Sequence, residues 1–436
     1  MVDGGDLGWK SGKLVKARLD QQRRKAELQH RSLALSGIDA MVPGEGDLAL
    51  GWSWLTRQVE RHELPMLAAN LSCGEQSPFP AGRVVERDGV RLGFIGVIGT
   101  GLVKGRCRTS DPAAAVQAAV AAMGEVDQLV LLAHGKPDLD KTLARAVPEA
   151  DLVLSGHARR SMPTPNQLPG DAVQLGAGSR GKKVGLLTVT LVDGGEGYHL
   201  ASAVGEIQAR LDSAKKRQKL NQGRIAKAQN DRLRSRAETR QGRLDSRVAA
   251  LEADLDAAQA PVKTVQHRLK NDYWPLGEDI EDHPETAALV TAAKVEMDTV
   301  ERALAAKAGP VLGQSFIGSA TCLGCHGEQH AQWKATPHAY AWATLERLKR
   351  THDLDCWSCH VTGAQHPKGP RHPNQAKGLE NVGCESCHGP GAAHVGAGGK
   401  AKMVRKPGLK VCIACHDGVK DEGRFEPESY FPRVVH

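Results

Sequence analysis

Between residues 322 and 416 the sequence repeats Cys-x-x-Cys-His four times: Cys322, Cys325 and His326; Cys356, Cys359 and His360; Cys384, Cys387 and His388; Cys412, Cys415 and His416. This spacing restricts the fold because it is what a covalently bound group needs. Two sulfurs three positions apart reach the two vinyl groups on one porphyrin edge and form thioethers, and the imidazole that follows lies under the ring and ligates iron. Zinc also takes paired Cys-x-x-Cys thiolates. It does not require a histidine after every second cysteine, so four motifs out of four favour four covalent haems c. Eight of the ten cysteines and eleven of the eighteen histidines lie beyond residue 320. Aromatic residues make up only 4% of the chain, and from Ser315 onward there is little periodic apolar pattern. Side chains alone cannot build an ordinary core there, and four macrocycles would supply the missing apolar burial.

Each iron also needs a sixth ligand or an open face. The other histidines of this region are His330, His338, His352, His366, His372, His394 and His436, and Met403 is its only methionine. At most one haem is therefore His/Met, which places the potentials on the low side of the c-type range. The stretches CLGCHGEQHAQWKATPHAYAWATL, DLDCWSCHVTG and GLENVGCESCHGPGAAH resemble the cytochrome c-554 family of tetrahaem electron carriers over roughly residues 315–436. The resemblance implies distal ligands at His338 and His394, and at His436 in the closing FPRVVH. It also points to the haem at His360 as the one with a weak or absent sixth ligand.

Residues 1 to about 203 alternate short β-rich runs (38–43, 127–134, 151–157) with helical stretches (12–36, 48–60, 111–124), as expected of helices around a parallel or mixed sheet. Residues 83–99 read as a hairpin turning at Asp88-Gly89, and 182–195 as a strand. The phrases VDGGDL, IDAMVPGEGDLALG, VLLAHG and LVLSGHA resemble metallophosphoesterases of the 5′-nucleotidase type, in which two metal ions activate water and clamp phosphate. Asp6, His134 and His157 match that family's ligand positions. Its Asn-His pair is replaced by Glu45-Gly46, a terminal histidine by Arg159, and its first-strand Asp-x-His is not found. Three donors are too few to hold even one ion in a closed shell, so the expectation is an inactive domain without a divalent metal.

Residues 205–260 change character, being rich in Ala, Lys, Arg, Gln and Glu, with a heptad seam at Leu244, Val248, Leu251 and Leu255. A second Ala-rich helix is expected over 285–307. The chain's net charge of +8 sits here: 211–248 holds twelve Lys/Arg against four Asp/Glu. Such a stripe is read as a solvated helix face, with no nucleic-acid role, and as the feature through which the chain would meet a membrane surface. No apolar run is long enough to span a bilayer.

These readings give three parts: an α/β phosphoesterase-like domain (1–203), a helical hairpin or coiled-coil spacer (204–310), and a mostly α and irregular tetrahaem cytochrome c domain (311–436). Thioether-bound haem places the chain in the periplasm or outside the cell. Residues 1–30 carry no export signal, and Met1–Asp6 resembles the end of a strand whose beginning is missing, so the expectation is a start lying inside a longer gene. Cys73 and Cys107 would form a disulfide only if the fold brings them together. The expected role is electron carriage between redox partner proteins. The alternatives are a redox enzyme with one open iron acting on a small nitrogen or oxygen species, and a phosphoesterase with an accessory cytochrome.

Overall fold

The structure is a computed structural model describing residues 1–9, 19–157, 162, 165–178, 181–195, 197–200, 203–226, 231–259, 266–277, 279–307, 315–416 and 425–435. It divides into two compact units, Met1–Ala287 and Ala288–His436.

The first unit begins with β1 (Val2–Asp3), α1 (Leu19–Leu35), β2 (Ala40–Met41), α2 (Glu45–Ala49), α3 (Trp52–Arg61) and β3 (Leu71–Cys73). It continues with β4 (Gly82–Arg87), β5 (Val90–Ile98), β6 (Cys107–Thr109), α4 (Pro112–Met123), β7 (Gln128–His134), α5 (Pro137–Ala146) and β8 (Leu152–Ser155). After these come β9 (Asn166–Gln167), β10 (Val173–Leu175), β11 (Lys183–Thr190), β12 (Tyr198–Leu200), α6 (Ala203–Ala226), α7 (Asp231–Gln259) and β13 (His267–Pro275).

A mixed six-stranded sheet in the order β4-β5-β7-β8-β10-β9 forms the centre, with β5, β7, β8 and β10 parallel. Every residue of β7 is buried, as expected of a parallel strand covered on both faces. Leu129, Leu131 and Ala133 pack with Val116 of α4 and Leu143 of α5. The alternate residues Val130 and Leu132 pack on the other side with Met41, Leu55 and Leu67. The predicted hairpin is present: Asp88 (φ 49°) and Gly89 (φ 80°) both turn left-handed between β4 and β5, the geometry that matches strand twist. β3 and β6 pair with Cys73 opposite Cys107, and the two are joined by a disulfide.

The segment expected to stand apart as a spacer divides differently. β13 lies at the centre of a second sheet, antiparallel to β11 from Lys183↔Pro275 to Thr190↔Arg268 and parallel to β12. Leu269 of β13 and Leu187 and Val189 of β11 enter the core beneath the main sheet. The helices α6 and α7 therefore leave this sheet and return to it. They form an antiparallel hairpin whose seam joins Ile207, Leu211 and Ala214 to Val248, Leu251 and Leu255. Lys215 pairs with Glu252 across it at 2.7 Å, and the Asn221 amide donates to Ala237 O and Gln241 Oε1.

The second unit takes most of α8 (Pro284–Lys307) and a set of short helices. Its apolar core is small, centred on Phe316, Leu345, Leu354, Trp357, Val361 and Leu379. Among the described residues no helix is long and apolar enough to cross a membrane.

The Cys73–Cys107 bridge closes a loop with a sequence separation of 34, which chain entropy converts to about 4 kcal/mol of stabilisation. A Cys73→Ala/Cys107→Ala variant should unfold at clearly lower denaturant concentration under oxidising conditions. Two thiols titrating in the denatured, unreduced chain beyond those of the four motifs would show that the bridge does not form.

Candidate haem and metal sites

The four motifs lie on or beside short helices: Ser319–Cys322, Leu354–His360, Cys384–His388 and Leu409–Ile413. In the second and third motifs both cysteines lie within the helix, three apart on one face; in the first and fourth the second cysteine follows the helix end in a turn, with Cys325 N donating to Cys322 O and Cys415 N to Cys412 O. The imidazoles are oriented by the backbone. His360 Nδ1 donates to Ala341 O and His388 Nδ1 to Val404 O, both at 2.6 Å. A carbonyl only accepts, so the proton sits on Nδ1 and Nε2 keeps the lone pair, the arrangement usual for metal-ligating histidine. His394, outside the motifs, is held the same way by Ala401 O at 2.7 Å.

Two imidazoles on opposite sides of one metal atom at about 2 Å each, with ring centres about 1 Å further back, stand about 6 Å apart. The His326 and His394 rings are 6.3 Å apart with 27° between their planes, and those of His338 and His416 are 6.2 Å apart. Burial, with His416 adding to it, holds His338 below the ordinary histidine value, which favours the neutral, ligating form. His436 lies outside the described residues. Among the described residues no other histidine ring stands opposite His360.

The surroundings fit a large apolar group. Leu323, Tyr340, Val395, Leu409 and Ile413 are exposed near the motifs. Burial, with Cys384 and Glu385 beside it, pushes the Cys322 thiol up to about 11. Burial, with Cys412 and Cys384 close by, does the same for Cys387. Among the described residues no three donors of these motifs gather within 4.8 Å of one another, as a closed zinc shell requires. Glu385, inside the third motif, is a residue that sequence reasoning missed. Its buried carboxylate accepts from the backbone N–H of Ile317, Gly318 and Gly391 at 2.7–3.1 Å.

A second site lies at the carboxyl ends of β7 and β8, where open parallel sheets place ligands. The buried Asp47 carboxylate accepts from the backbone N–H of Asp6, Gly8 and Gly44, folding the Asp3–Gly8 loop onto the Gly44–Asp47 turn. A Cβ at Gly156 would lie 2.0 Å from Gly4 O, so glycine is required where that loop meets β8. Asp6 (φ 60°) and His157 (φ 59°) both take left-handed backbone, a conformation concentrated at functional sites.

His134, fully buried, donates from Nδ1 to Gly4 O at 2.7 Å and turns Nε2 toward Glu45 (2.9 Å) and Asp6 (3.7 Å). His157 Nδ1 is 3.1 Å from the other Glu45 oxygen. Asp6, Glu45, His134 and His157 each offer a ligand atom, all within 4.8 Å of one another. A tetrahedral shell at about 2.1 Å has edges of about 3.4 Å, so the four donors fit one small divalent cation. This corrects the expectation that only three donors remain. Glu45, read in the sequence as a lost Asn-His pair, itself offers a carboxylate oxygen within reach of the other three donors. Arg159 lies outside the described residues.

Burial and mutual contact set the charges of these groups. Burial, with Asp47 and Glu45 adding to it against His134, raises Asp6 to about 6, and burial raises Asp3 to about 6. Burial works against Glu45, yet its hydrogen bond from His134 and the nearby His157 hold it down to about 2. Burial also works against a charged His134, but Glu45, Asp6 and Gly4 raise its pKa.

Residues 321–389 match the family model for cytochrome c554 and c-prime, which spans the first three motifs; the fourth lies beyond it. No curated protein matches the chain in sequence. Similar solved structures include the sulfate thiohydrolase SoxB of Thermus thermophilus, 25% identical over 44% of this chain and 36% of that one, with a TM-score of 0.37. A 5′-nucleotidase precursor, also of Thermus thermophilus, is 24% identical over 44% of this chain and 42% of that one, with a TM-score of 0.34. The calcineurin-like phosphoesterase YfkN of Bacillus subtilis is 18% identical over 44% of this chain and 72% of that one, with a TM-score of 0.36. The chain thus spans less than half the length of the first two. Its carboxy-terminal region resembles the cytochrome c554 family, and its amino-terminal region resembles 5′-nucleotidases and calcineurin-like phosphoesterases.

A divalent ion at the second site must displace the protons that Asp6 and His134 hold. Calorimetry with Zn²⁺ or Mn²⁺ should give about one ion per chain beyond any held elsewhere, with affinity rising as pH rises through about 6 and protons released on binding. His134→Ala should lower the affinity at least tenfold. An unchanged isotherm in that variant would place the ion somewhere else.

Proposed function

We propose that this chain is an extracytoplasmic multihaem cytochrome c that passes single electrons between redox partner proteins. The observation that carries the reading is the pairing of histidine rings at iron-spanning separation inside the stretch that holds the four motifs. Haem c, when bound, supplies reversible one-electron chemistry at iron. The pairs Cys322/Cys325, Cys356/Cys359, Cys384/Cys387 and Cys412/Cys415 would hold four haems, with His326, His360, His388 and His416 as proximal ligands. His394 would sit opposite His326 and His338 opposite His416, with His436 the candidate for His388. His360 is left with an open or weakly held sixth position. The Ala341 and Val404 carbonyls fix the His360 and His388 rings, so that neither has to reorient when the iron changes charge. The Cys73–Cys107 bridge agrees with an oxidising compartment.

Protein produced with cytochrome c maturation should carry about four haems by pyridine haemochrome, none of them removed by acid-acetone. His394→Ala and His338→Ala should each turn one low-spin haem high-spin. The reduced protein should bind about one carbon monoxide per chain, a number that rises to about two in either variant. Bound zinc with little haem would remove this reading. Absence of carbon monoxide binding by the unsubstituted protein would remove the open iron, and with it the alternative of an enzyme acting on a small nitrogen or oxygen species.

The four-donor cluster favours a second, structural reading of the amino-terminal unit as a single-cation site. Two-metal hydrolysis needs a second ion a few ångströms away to stabilise developing charge, and the four donors serve one. No turnover of nucleotides or generic phosphate esters is expected with added Mn²⁺ or Zn²⁺. Hydrolysis abolished by both His134→Ala and Glu45→Gln would instead make this unit a phosphoesterase.

A further inference from the structure

From Ser386 to His416 the chain has no acidic residue and five basic ones: Lys400, Lys402, Arg405, Lys406 and Lys410. All five side chains are exposed, and no ion pair engages them among the described residues. Their charge is not the charge of the α6–α7 hairpin, where acids are interspersed and Lys215 is paired with Glu252. Their position is fixed by the axial histidines. Ala401 O holds His394 Nδ1, Val404 O holds His388 Nδ1, and Val404 N donates back to His388 O at 3.1 Å. Gly399 N also donates to His394 O at 2.8 Å. The cationic loop is thus tied at four points to two histidines that the reading above assigns to iron.

Resting on that reading, we infer that the 395–411 loop is the docking surface for an acidic redox protein, steering it to the haems ligated by His388 and His394. A one-signed patch raises the encounter rate of an oppositely charged partner and makes that rate fall with salt. A solvated charge run needs no fixed place, whereas this one is anchored to the electron-accepting groups. Exposed Val395 and Val404 beside the lysines supply apolar contact, which steering alone does not.

The test uses the holoprotein and an acidic flavodoxin. The anionic flavin hydroquinone gives one electron to a ferric haem, and becomes the neutral semiquinone as iron becomes ferrous. Stopped-flow rates should fall steeply as salt rises. Lys400→Gln/Lys402→Gln/Lys406→Gln/Lys410→Gln should cut the low-salt rate roughly tenfold or more and flatten its salt dependence. Removing four exposed cations from the hairpin (Lys216→Gln/Arg217→Gln/Lys219→Gln/Arg224→Gln) should leave the rate within twofold. Haem content and complete reduction by dithionite are measured first on each protein, so that loss of haem counts against the cytochrome reading and not against docking. Equal slowing by both variants, or no salt dependence, overturns the proposal. So does a loop variant that keeps its flavodoxin rate while losing adhesion to phosphatidylserine vesicles, which would make the loop a lipid contact.

Discussion

The Glu385 carboxylate is the interaction on which the carboxy-terminal unit is hung. It takes backbone N–H groups from the irregular segment at Ile317 and Gly318 that enters the first motif and from the Gly391 turn that leads to His394, while sitting in the third motif itself. Hydrogen bonds to a charged group are worth about 1.5–3 kcal/mol each, and here they act where apolar packing is scarce. Thr362 plays a similar part between the second and third motifs, accepting from Gly383 N and donating to Asn381 O. Trp333 adds a bond from its indole N–H to Val382 O. A chain with so few large apolar side chains keeps its loops in register through buried polar contacts and leaves volume for groups it does not encode.

The amino-terminal site shows the opposite balance, with more charge than its burial tolerates. Three carboxylates are pinned by backbone N–H groups, Asp3 by Gly5, Asp6 by Gly46 and Asp47 by three donors. Glu45 brings a fourth into contact with two imidazoles. Without a cation, a glutamate–histidine ion pair and raised carboxyl pKa values hold the balance. The same four donors lie close enough together to serve one cation.

Much of this was legible in the sequence wherever one residue type carries the signal. The Asp88-Gly89 turn, the apolar run of β7 and the alanine-rich α4 and α8 all stand where their chemistry indicates. What could not be read depends on distant partners. β13 (HRLKNDYWP) buries only Leu269 and Asn271, so its alternation is polar and no period marks it as a strand. Glu45 stands where the resembled family has an Asn-His pair and so reads as a lost ligand; its value comes from His134 and His157, brought in by other strands. The 395–411 lysines disappeared into a net charge whose excess lies in the hairpin. Glu385 reads as an ordinary surface acid until Ile317 and Gly391 close on it.

The return of β13 to β11 across the α6–α7 hairpin gives the fold a built-in delay. Thr190 cannot meet Arg268 until the whole hairpin has been made, so a chain emerging from its amino end presents β11 without the partner that β13 later supplies. Unpaired edges of that kind are templates for wrong pairing. A helical hairpin closes through local contacts, much faster than a strand finds a distant partner. By zipping its own seam it brings the ends of the insertion together and shortens the search that β13 must make. The α6–α7 seam is thus the local contact that keeps the two ends of the insertion, and with them β13 and β11, within reach of each other.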